Sequence, residues 1–269
     1  MKFLKNSLIY LTVTILALIF VMPLLYALYT SLLPLKYIDR IVTLDKFTLE
    51  NYIKLFSSFP ILRWYFNTAF VTVLTVIGNI TLDSMAGYAL AKFRFPGRDF
   101  IFIMVLVTMM IPFQFVITPL YIMITKVNWQ NTFACLLVPF FYQCLFIFMA
   151  RQFFLSIPGE LEEAARIDGL SRAGTFFRII VPISGTLIAI ITIFNFTGTW
   201  NSYFVPSVFL TTKEMYVLVL GLNTVKDIHF DRQNLSMAGV VLLSAPVLIM
   251  FISLQRFFVQ GVATTGIKG

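Results

Sequence analysis

The chain has 269 residues, of which 59% are hydrophobic and 12% charged, and 20 lysines and arginines against 12 acidic residues give it a net charge of +8. Such a composition is too apolar for a water-soluble surface and indicates a membrane protein. The basic residues are scattered between apolar runs and there is a single histidine, His229, so we expect no nucleic-acid partner, no metal site and no catalytic residues.

Six apolar stretches are long enough to cross a membrane as helices, because about 20 residues span the hydrocarbon core. They lie at about 7–30, 68–91, 100–125, 133–151, 181–204 and 235–256. The first could be a signal peptide, but it is too long for one and no cleavage pattern follows it, so we interpret it as an uncleaved span. The sequence therefore predicts an all-α, polytopic membrane protein with six transmembrane helices, the third bent by Pro112 and Pro119.

Basic residues in the short loops predict the orientation of these spans. Lys2 and Lys5 precede the first stretch, three basic residues fill the link between the second and the third, and four more lie within 151–178. Because short loops rich in lysine and arginine face the cytoplasm, these segments and both termini are expected to be cytoplasmic. Residues 31–67 and 205–234 are then expected outside.

A charged segment, PGELEEAARIDGLSRAGTFFRIIVP, separates the fourth and fifth stretches. Pro158 suits the first turn of a helix, glutamates follow where the helix dipole favours negative charge, and Gly169 is expected to end that helix before Ser171 caps a second one. A helix of about ten residues is unstable alone in water and must pack on something. Its predicted contact face consists of Leu161, Ala164, Ala165 and Asp168.

Polar residues recur at helical spacing inside three of the apolar stretches. One stripe in the second stretch includes Thr68, Thr72, Thr75, Asn79 and Asp83. Uncharged hydrogen-bonding groups suit a hydroxyl-rich neutral ligand such as a sugar, but the same stripes also fit ordinary helix packing. The predicted substrate-path residues are Gln114, Thr118, Tyr121, Asn195, Thr199, Trp200 and Asn201. Trp200 also suits an interfacial anchor, and Asp83 is expected in a hydrogen-bonded helix interface rather than in a proton relay.

The charged segment also carries a family resemblance. Glu163-Ala164-Ala165, Gly169, Ile179 and Val181-Pro182 stand in the spacing of the EAA signature of membrane subunits of bacterial ABC importers, with Val181 where leucine is usual. With Asp168-Gly169, the segment resembles the carbohydrate-uptake branch, the family of the smaller permease of the maltose transporter. Ordered matches at YALAKFRFPGR, IPFQFVITPLYIM, TWNSYFVP and QRFFVQGVATTGIKG extend the resemblance from about residue 51 to 269.

This resemblance implies the transmembrane fold of type I ABC importers. It implies an N-terminal helix with an extracytoplasmic segment at 1–67, a five-helix importer domain at 68–260 with its EAA loop at about 156–180, and a cytoplasmic tail at 261–269. The EAA helix would be a coupling helix seated in a groove of an ATPase, through Glu163, Ala164, Ala165, Asp168 and Gly169. The tail residues implied to contact the ATPase are Thr264, Thr265, Gly266 and Lys268.

The implied function is that of a non-enzymatic permease subunit that moves a sugar, expected to be an oligosaccharide, across the bacterial plasma membrane by alternating access. Its implied partners, besides the lipid bilayer, are a second homologous permease in a heterodimer, two ATPases and an extracytoplasmic sugar-binding protein. The chain contains no GxxxxGK(S/T) phosphate loop, so ATP and Mg are expected on the partner ATPase and no cofactor on this chain. The alternative is an ion-coupled secondary transporter without an ATPase, which would leave the EAA helix without a purpose.

Overall fold

Every regular element that the computed structural model describes, over residues 2–38, 40–228 and 232–265, is helical. The all-α prediction is therefore confirmed for these residues. Three short 3-10 turns occur at Leu35–Tyr37, Leu44–Lys46 and Val138–Phe140, and a π turn occurs at Phe176–Ile180. The α-helices are α1 (Lys2–Ser31), α2 (Glu50–Ser58), α3 (Ile61–Lys92), α4 (Arg98–Met109), α5 (Phe113–Lys126), α6 (Ala134–Leu137), α7 (Cys144–Leu155), α8 (Glu160–Ile167), α9 (Arg172–Thr175), α10 (Val181–Ile183), α11 (Gly185–Trp200), α12 (Phe204–Phe209), α13 (Leu218–Ile228) and α14 (Gln233–Thr265).

The described helices include four to six candidate membrane spans. Four helical stretches are long and apolar enough to cross a membrane, namely Asn6–Ser31, Ile61–Lys92, Ala134–Leu155 and Gln233–Gln255. Two further pairs reach that length only together: α4 with α5, bent by 102°, and Arg172–Ile183 with α11, bent by 79°. The third and fifth predicted stretches are therefore each broken by a sharp bend.

Local sequence features lie at both bends. Pro112 has an extended conformation, and a residue before proline is disfavoured in a helix, so α4 ends shortly before Ile111 and α5 starts after Pro112. The predicted bend in this stretch is thus found at Pro112, whereas Pro119 lies within α5. At the other bend, the Ser184 hydroxyl donates to the carbonyl of Ile180 at 2.6 Å, a back-bond that often bends helices.

The fourth stretch is also interrupted. After α6 and the 3-10 turn Val138–Phe140, residues 141–143 are irregular, and α7 then begins at Cys144. Pro139 has no N–H to give to a helix, which favours an interruption here. The break leaves backbone groups inside an apolar region that need partners from elsewhere in the protein.

Contacts divide the chain into two units. The domain boundaries after residues 67 and 260 were predicted from membrane topology and stay predictions. The first unit comprises the described residues of 1–64 and 218–246. In it the buried Asn51 amide donates to the carbonyls of Ser31 (2.8 Å) and Leu33 (2.9 Å), and Asn234 donates to the Asn51 oxygen at 2.8 Å. These bonds join the end of α1, α2 and the start of α14.

The second unit comprises the described residues of 65–217 and 247–269 and contains a closely packed core. Buried side chains from α3, α7, the π turn and α11 meet there, including Tyr88, Phe154, Phe176 and Ile191. Helices α3 and α7 approach so closely that a Cβ atom at Gly87 would lie 2.5 Å from the Ala150 Cβ and 2.8 Å from the Arg151 backbone nitrogen. A glycine at this position permits the contact.

A methyl group at Gly87 is expected to destabilise the protein. Gly87→Ala would force α3 and α7 apart, and such overpacking costs about 1–3 kcal/mol. The matched control is Gly198→Ala in α11, where an added Cβ meets nothing within 4 Å. Thermal unfolding of the purified protein in detergent should show a lower Tm for Gly87→Ala only; equal values for the two variants would contradict the close packing of α3 on α7.

Candidate functional site: a polar cavity and an exposed short helix

A cavity of about 310 Å³ lies within the second unit. This volume is at the small end of the range for small-molecule sites, about 300–1,000 Å³. No charged residue is among the described residues that line it. Polar side chains of its wall come from four places: Thr68, Thr72 and Thr75 on α3, Gln143 just before α7, Asn195 and Thr199 on α11, and Ser202 just after α11.

A buried hydrogen-bond network connects α3 and α11 beside this cavity. Asn79 and Asp83 are fully buried, and the Asn79 amide donates to the Asp83 carboxylate at 2.9 Å. The Asn195 amide donates to the Asn79 oxygen, and the Thr199 hydroxyl donates to the Asn195 oxygen at 3.0 Å. The polar groups of Asn195 are therefore already engaged within the protein.

Asp83 also holds the break in the fourth stretch. The backbone N–H of Gln143 lies 3.1 Å from each carboxylate oxygen of Asp83. Gln143 precedes the first residue of α7, where unpaired N–H groups and the helix dipole favour an anion. The prediction that Asp83 lies in a hydrogen-bonded helix interface is confirmed, and its partner is the end of a broken helix.

The structure brings only two of the predicted substrate-path residues to the cavity, Asn195 and Thr199. Trp200 is 3% exposed and packs against the rings of Tyr65 and Phe196, with centroid distances of 5.9 and 5.3 Å. Asn201 is exposed and donates to the Thr197 carbonyl at 2.9 Å. The side chains on α5, namely Gln114, Thr118 and Tyr121, are exposed and lie outside the cavity wall.

The sequence analysis did not assign five polar cavity residues as substrate contacts, namely Thr68, Thr72, Thr75, Gln143 and Ser202. Thr68, Thr72 and Thr75 form a visible stripe on α3, and their helical spacing was the available signal. Gln143 had no such signal, because it lies at a helix break that hydrophobicity does not reveal. Its position depends on Asp83, which is 60 residues earlier in the chain.

The short helix α8 forms within the charged segment and ends as its sequence predicts. Gly169 has φ +80°, its N–H donates to the Arg166 carbonyl at 3.1 Å, and the Leu170 N–H donates to the Ala165 carbonyl at 2.9 Å. These two bonds make a Schellman cap, which favours glycine at the left-handed position. Ser171 then caps α9 by accepting a hydrogen bond from the Gly174 N–H at 3.1 Å.

Substituting Gly169 is expected to weaken this turn. Gly169→Ala places a Cβ on a left-handed residue, which costs about 1–2 kcal/mol, even though no atom blocks the added methyl group. Gly159→Ala at the other end of α8 is the control, because Gly159 has φ −69° and equally open space. Limited proteolysis of the segment should be faster in Gly169→Ala than in Gly159→Ala. Equal cleavage rates would show that the turn tolerates a side chain.

One face of α8 packs inward and the other is exposed. Ala165 is 1% exposed, whereas Leu161 is 42% and Ile167 87% exposed. Glu163, Ala164, Asp168 and Gly169 are exposed as well. The predicted contact face is therefore divided, because Ala165 turns toward the protein while Leu161, Ala164 and Asp168 face outward. Glu163 makes no salt bridge to any residue within the described ranges.

An ion pair binds the inward side of α8 to the end of α3. The Lys92 ammonium lies 3.3 Å from the Glu162 carboxylate and donates to the Ile157 carbonyl at 2.6 Å. Both charged side chains are largely shielded, with 12% and 20% of their surfaces exposed. Beyond Lys92, the Arg172 guanidinium lies 4.8 Å from the centroid of the Phe93 ring.

The predicted tail contacts lie at the edge of the structure. Helix α14 ends at Thr265, and the side chains of Thr264 and Thr265 are not described. Gly266 and Lys268 lie outside the described residues, as does His229. The four tail contacts remain predictions.

The chain combines membrane-length helices, a polar cavity lined by uncharged described residues, and an exposed short helix bound to a cavity-lining helix. This combination is typical of membrane-embedded transport subunits. Comparison with known proteins identifies the family. Residues 83–264 match the family described as "Binding-protein-dependent transport system inner membrane component", and the chain belongs to it. The family consists of transport permeases.

Individual relatives agree with this assignment. The chain is 34% identical over 223 residues to the arabinooligosaccharides transport system permease protein AraQ of Halalkalibacterium halodurans, covering 82% of this chain and 80% of AraQ. It is 31% identical over 267 residues to the galactooligosaccharides transport system permease protein GanQ of Bacillus subtilis, covering 97% and 94% of the two chains. The resemblance to carbohydrate-uptake permeases is thus confirmed.

A solved structure shares the fold. A chain of a bacterial ABC transporter involved in the import of the acidic polysaccharide alginate matches with a TM-score of 0.82, at 22% identity, over 95% of this chain and 96% of that chain. The similarity covers almost the whole length of both chains. This chain therefore shares the all-helical fold of that transporter chain.

Proposed function

We propose that this chain is a permease subunit of an ATP-driven importer of neutral sugars, with an oligosaccharide as the substrate. The observation that carries the proposal is the cavity, whose described polar groups are hydroxyls and amides without a charge. An acidic sugar such as alginate needs cationic partners when it leaves water, whereas neutral sugars need hydrogen bonds. The similarity to the permeases AraQ and GanQ, which belong to transport systems for arabinooligosaccharides and galactooligosaccharides, supports the same substrate class.

The proposed topology has six spans, with each bent helix pair counted as one span. Both termini, the link between α3 and α4, and helix α8 lie on the cytoplasmic side of the bacterial plasma membrane. Support comes from the basic residues of the short loops and from α8, whose charged and exposed residues belong in water.

In this proposal α8 is the coupling helix that docks in a groove of an ATPase subunit. Its outward side offers the Glu163 charge beside the small Ala164 and the exposed Ile167, a mixture suited to a protein groove. Two ATPases bind ATP and Mg, and this chain holds no cofactor. Closure of the ATPases moves α8 and reorients the helices around the cavity, which gives alternating access. The tail residues Thr264, Thr265, Gly266 and Lys268 contact the ATPases.

A second, homologous permease completes the pathway as a heterodimer partner, and an extracytoplasmic binding protein delivers the sugar. Exposed polar residues on α5, such as Gln114 and Thr118, would then face that second permease. An ion-coupled mechanism without an ATPase has less support. Asp83, the acid it would use, is fully buried and accepts hydrogen bonds from Asn79 and Gln143.

Reconstitution tests the proposal. Proteoliposomes would contain the chain with its partner permease and ATPases, with the binding protein added outside, and uptake of labelled arabinotriose, galactotriose and an alginate trisaccharide would be measured. We expect ATP-dependent uptake of a neutral trisaccharide and none of the acidic one. Uptake by this chain alone under an ion gradient would overturn the proposal.

A further inference from the structure

The hydrogen bonds around the cavity distinguish groups that are engaged from groups that are free for a ligand. Asn195 and Thr199 bind each other, and Asn195 also binds Asn79. Gln143 is different: it lines the cavity, its side chain is exposed, and its amide has no hydrogen bond to the residues that the structure describes. The Gln143 amide also offers more hydrogen-bonding positions than the Thr72 and Ser202 hydroxyls, which line the same cavity.

We propose that Gln143 is the main sugar-binding residue of this subunit and that Asp83 is a positioning residue that holds it in place, an inference that rests on the proposed function. A primary amide has two donor hydrogens and one acceptor oxygen, which fits a pair of neighbouring sugar hydroxyls. The rings of Phe140, Phe146 and Phe194 also line the cavity and offer apolar surface to the C–H face of a sugar. Thr72 supplies a second group, since its buried hydroxyl has no hydrogen-bond partner among the described residues.

The helix break explains why Asp83 is required. If the fourth stretch were a continuous helix, the Gln143 N–H would bind a carbonyl one turn earlier. The irregular residues 141–143 remove that partner, and an unpaired buried N–H is costly. Both oxygens of Asp83 replace it at 3.1 Å. Asp83 thereby fixes the backbone from which the Gln143 side chain reaches the cavity.

The break in the fourth stretch separates a cavity-lining part from a part that packs in the core. Discontinuous helices recur in transporters where irregular backbone lines a binding cavity. Here Gln143 lies at the cavity, while Ala150 and Phe154 of α7 pack into the core with Tyr88. The network connects this site through Asn79 to α11, so three elements meet beside one ligand-facing amide.

A binding experiment on the assembled permease and ATPase complex tests the role of Gln143. Equilibrium binding of labelled arabinotriose and galactotriose would be measured without the binding protein, so that only the permease site is observed. Gln143→Leu keeps the side-chain size and removes its hydrogen bonds, and should weaken binding about 10-fold. Gln152→Leu, an exposed glutamine later in α7 and outside the cavity, is the matched control. Unchanged binding by Gln143→Leu overturns the proposal.

The positioning role of Asp83 has its own readout. Asp83→Asn retains an acceptor oxygen for the Gln143 N–H and should bind sugar within about threefold of wild type, whereas Asp83→Ala should lose about as much as Gln143→Leu. Combining Asp83→Ala with Gln143→Leu should weaken binding no further, because both changes remove the same contact. Additive losses would show that Asp83 acts elsewhere. If Asp83→Ala does not assemble, the test is made with Asp83→Asn alone. A loss of sugar affinity in Asp83→Asn as large as that in Gln143→Leu would contradict the positioning role.

These outcomes are separable from a failure of the proposed function. If the wild-type complex binds and transports neither neutral trisaccharide, the sugar-import proposal fails and this inference fails with it. If the wild type transports one of them and Gln143→Leu binds it equally well, only the assignment of Gln143 is wrong.

Discussion

Charge reversal at Glu163 is expected to abolish ATP-driven uptake while leaving the membrane helices folded. Glu163 is exposed on the outward side of α8 and makes no salt bridge within the described ranges. It is therefore available to a basic residue of an ATPase. Losing one partner of a hydrogen-bonded charge pair at an interface costs about 2–5 kcal/mol, which weakens association by roughly 30-fold to 4,000-fold.

The measurement is co-purification of the ATPase with Glu163→Lys, followed by uptake in proteoliposomes. Glu50→Lys provides the control, because Glu50 is also an exposed acid in the first turn of a short helix and lies far from α8 in the sequence. Both variants should retain the Tm of the isolated chain. Normal ATPase recovery with Glu163→Lys would exclude α8 as the main docking element.

Breaking the ion pair between Lys92 and Glu162 is expected to separate ATP hydrolysis from transport. The two groups are 3.3 Å apart and mostly shielded from solvent, so removing one leaves a poorly solvated charge, which costs more than a surface pair would. Lys92→Met also removes the donor to the Ile157 carbonyl. The end of α3 would then no longer move with α8. The lost contacts are worth about 1–3 kcal/mol, so uptake per ATP hydrolysed should fall about 5-fold to 150-fold.

The exchange Lys92→Glu with Glu162→Lys tests whether the pair itself matters. It restores opposite charges, so it should recover part of the uptake that Lys92→Glu alone loses, although a glutamate cannot donate to the Ile157 carbonyl. Lys126→Met, at an exposed lysine that ends α5, should transport normally. Equal ratios of uptake to ATP hydrolysis in Lys92→Met and in wild type would show that the Lys92–Glu162 pair does not couple α8 to α3.

Features with local causes could be predicted from the sequence. Hydrophobic length predicts the helices, because the cost of unpaired backbone in lipid leaves few alternatives. The turn after α8 was equally predictable, since Gly169 and Ser171 act on neighbouring backbone groups. The bend at Pro112 has the same local origin.

Features that depend on contacts between distant residues could not be predicted. Nothing near Gln143 in the sequence indicates that Asp83 would bind its N–H. The amide of Asn195 is chemically suited to binding a ligand. Only the tertiary structure shows that it is already hydrogen-bonded to Asn79 and Thr199. Ala165 is buried on the same helix whose Glu162 pairs with Lys92 of α3, an interaction between residues 70 positions apart.

Helix α3, unlike the bent spans, is unbroken and free of proline. It runs without a break from Ile61 to Lys92 and contains no proline, so it resists bending. Thr68 lies at the cavity, and Lys92 lies about 36 Å further along the axis, at a rise of 1.5 Å per residue. A stiff helix of this kind acts as a lever: a tilt of a few degrees imposed at its Lys92 end displaces the threonines by more than an ångström without any change in their local hydrogen bonds.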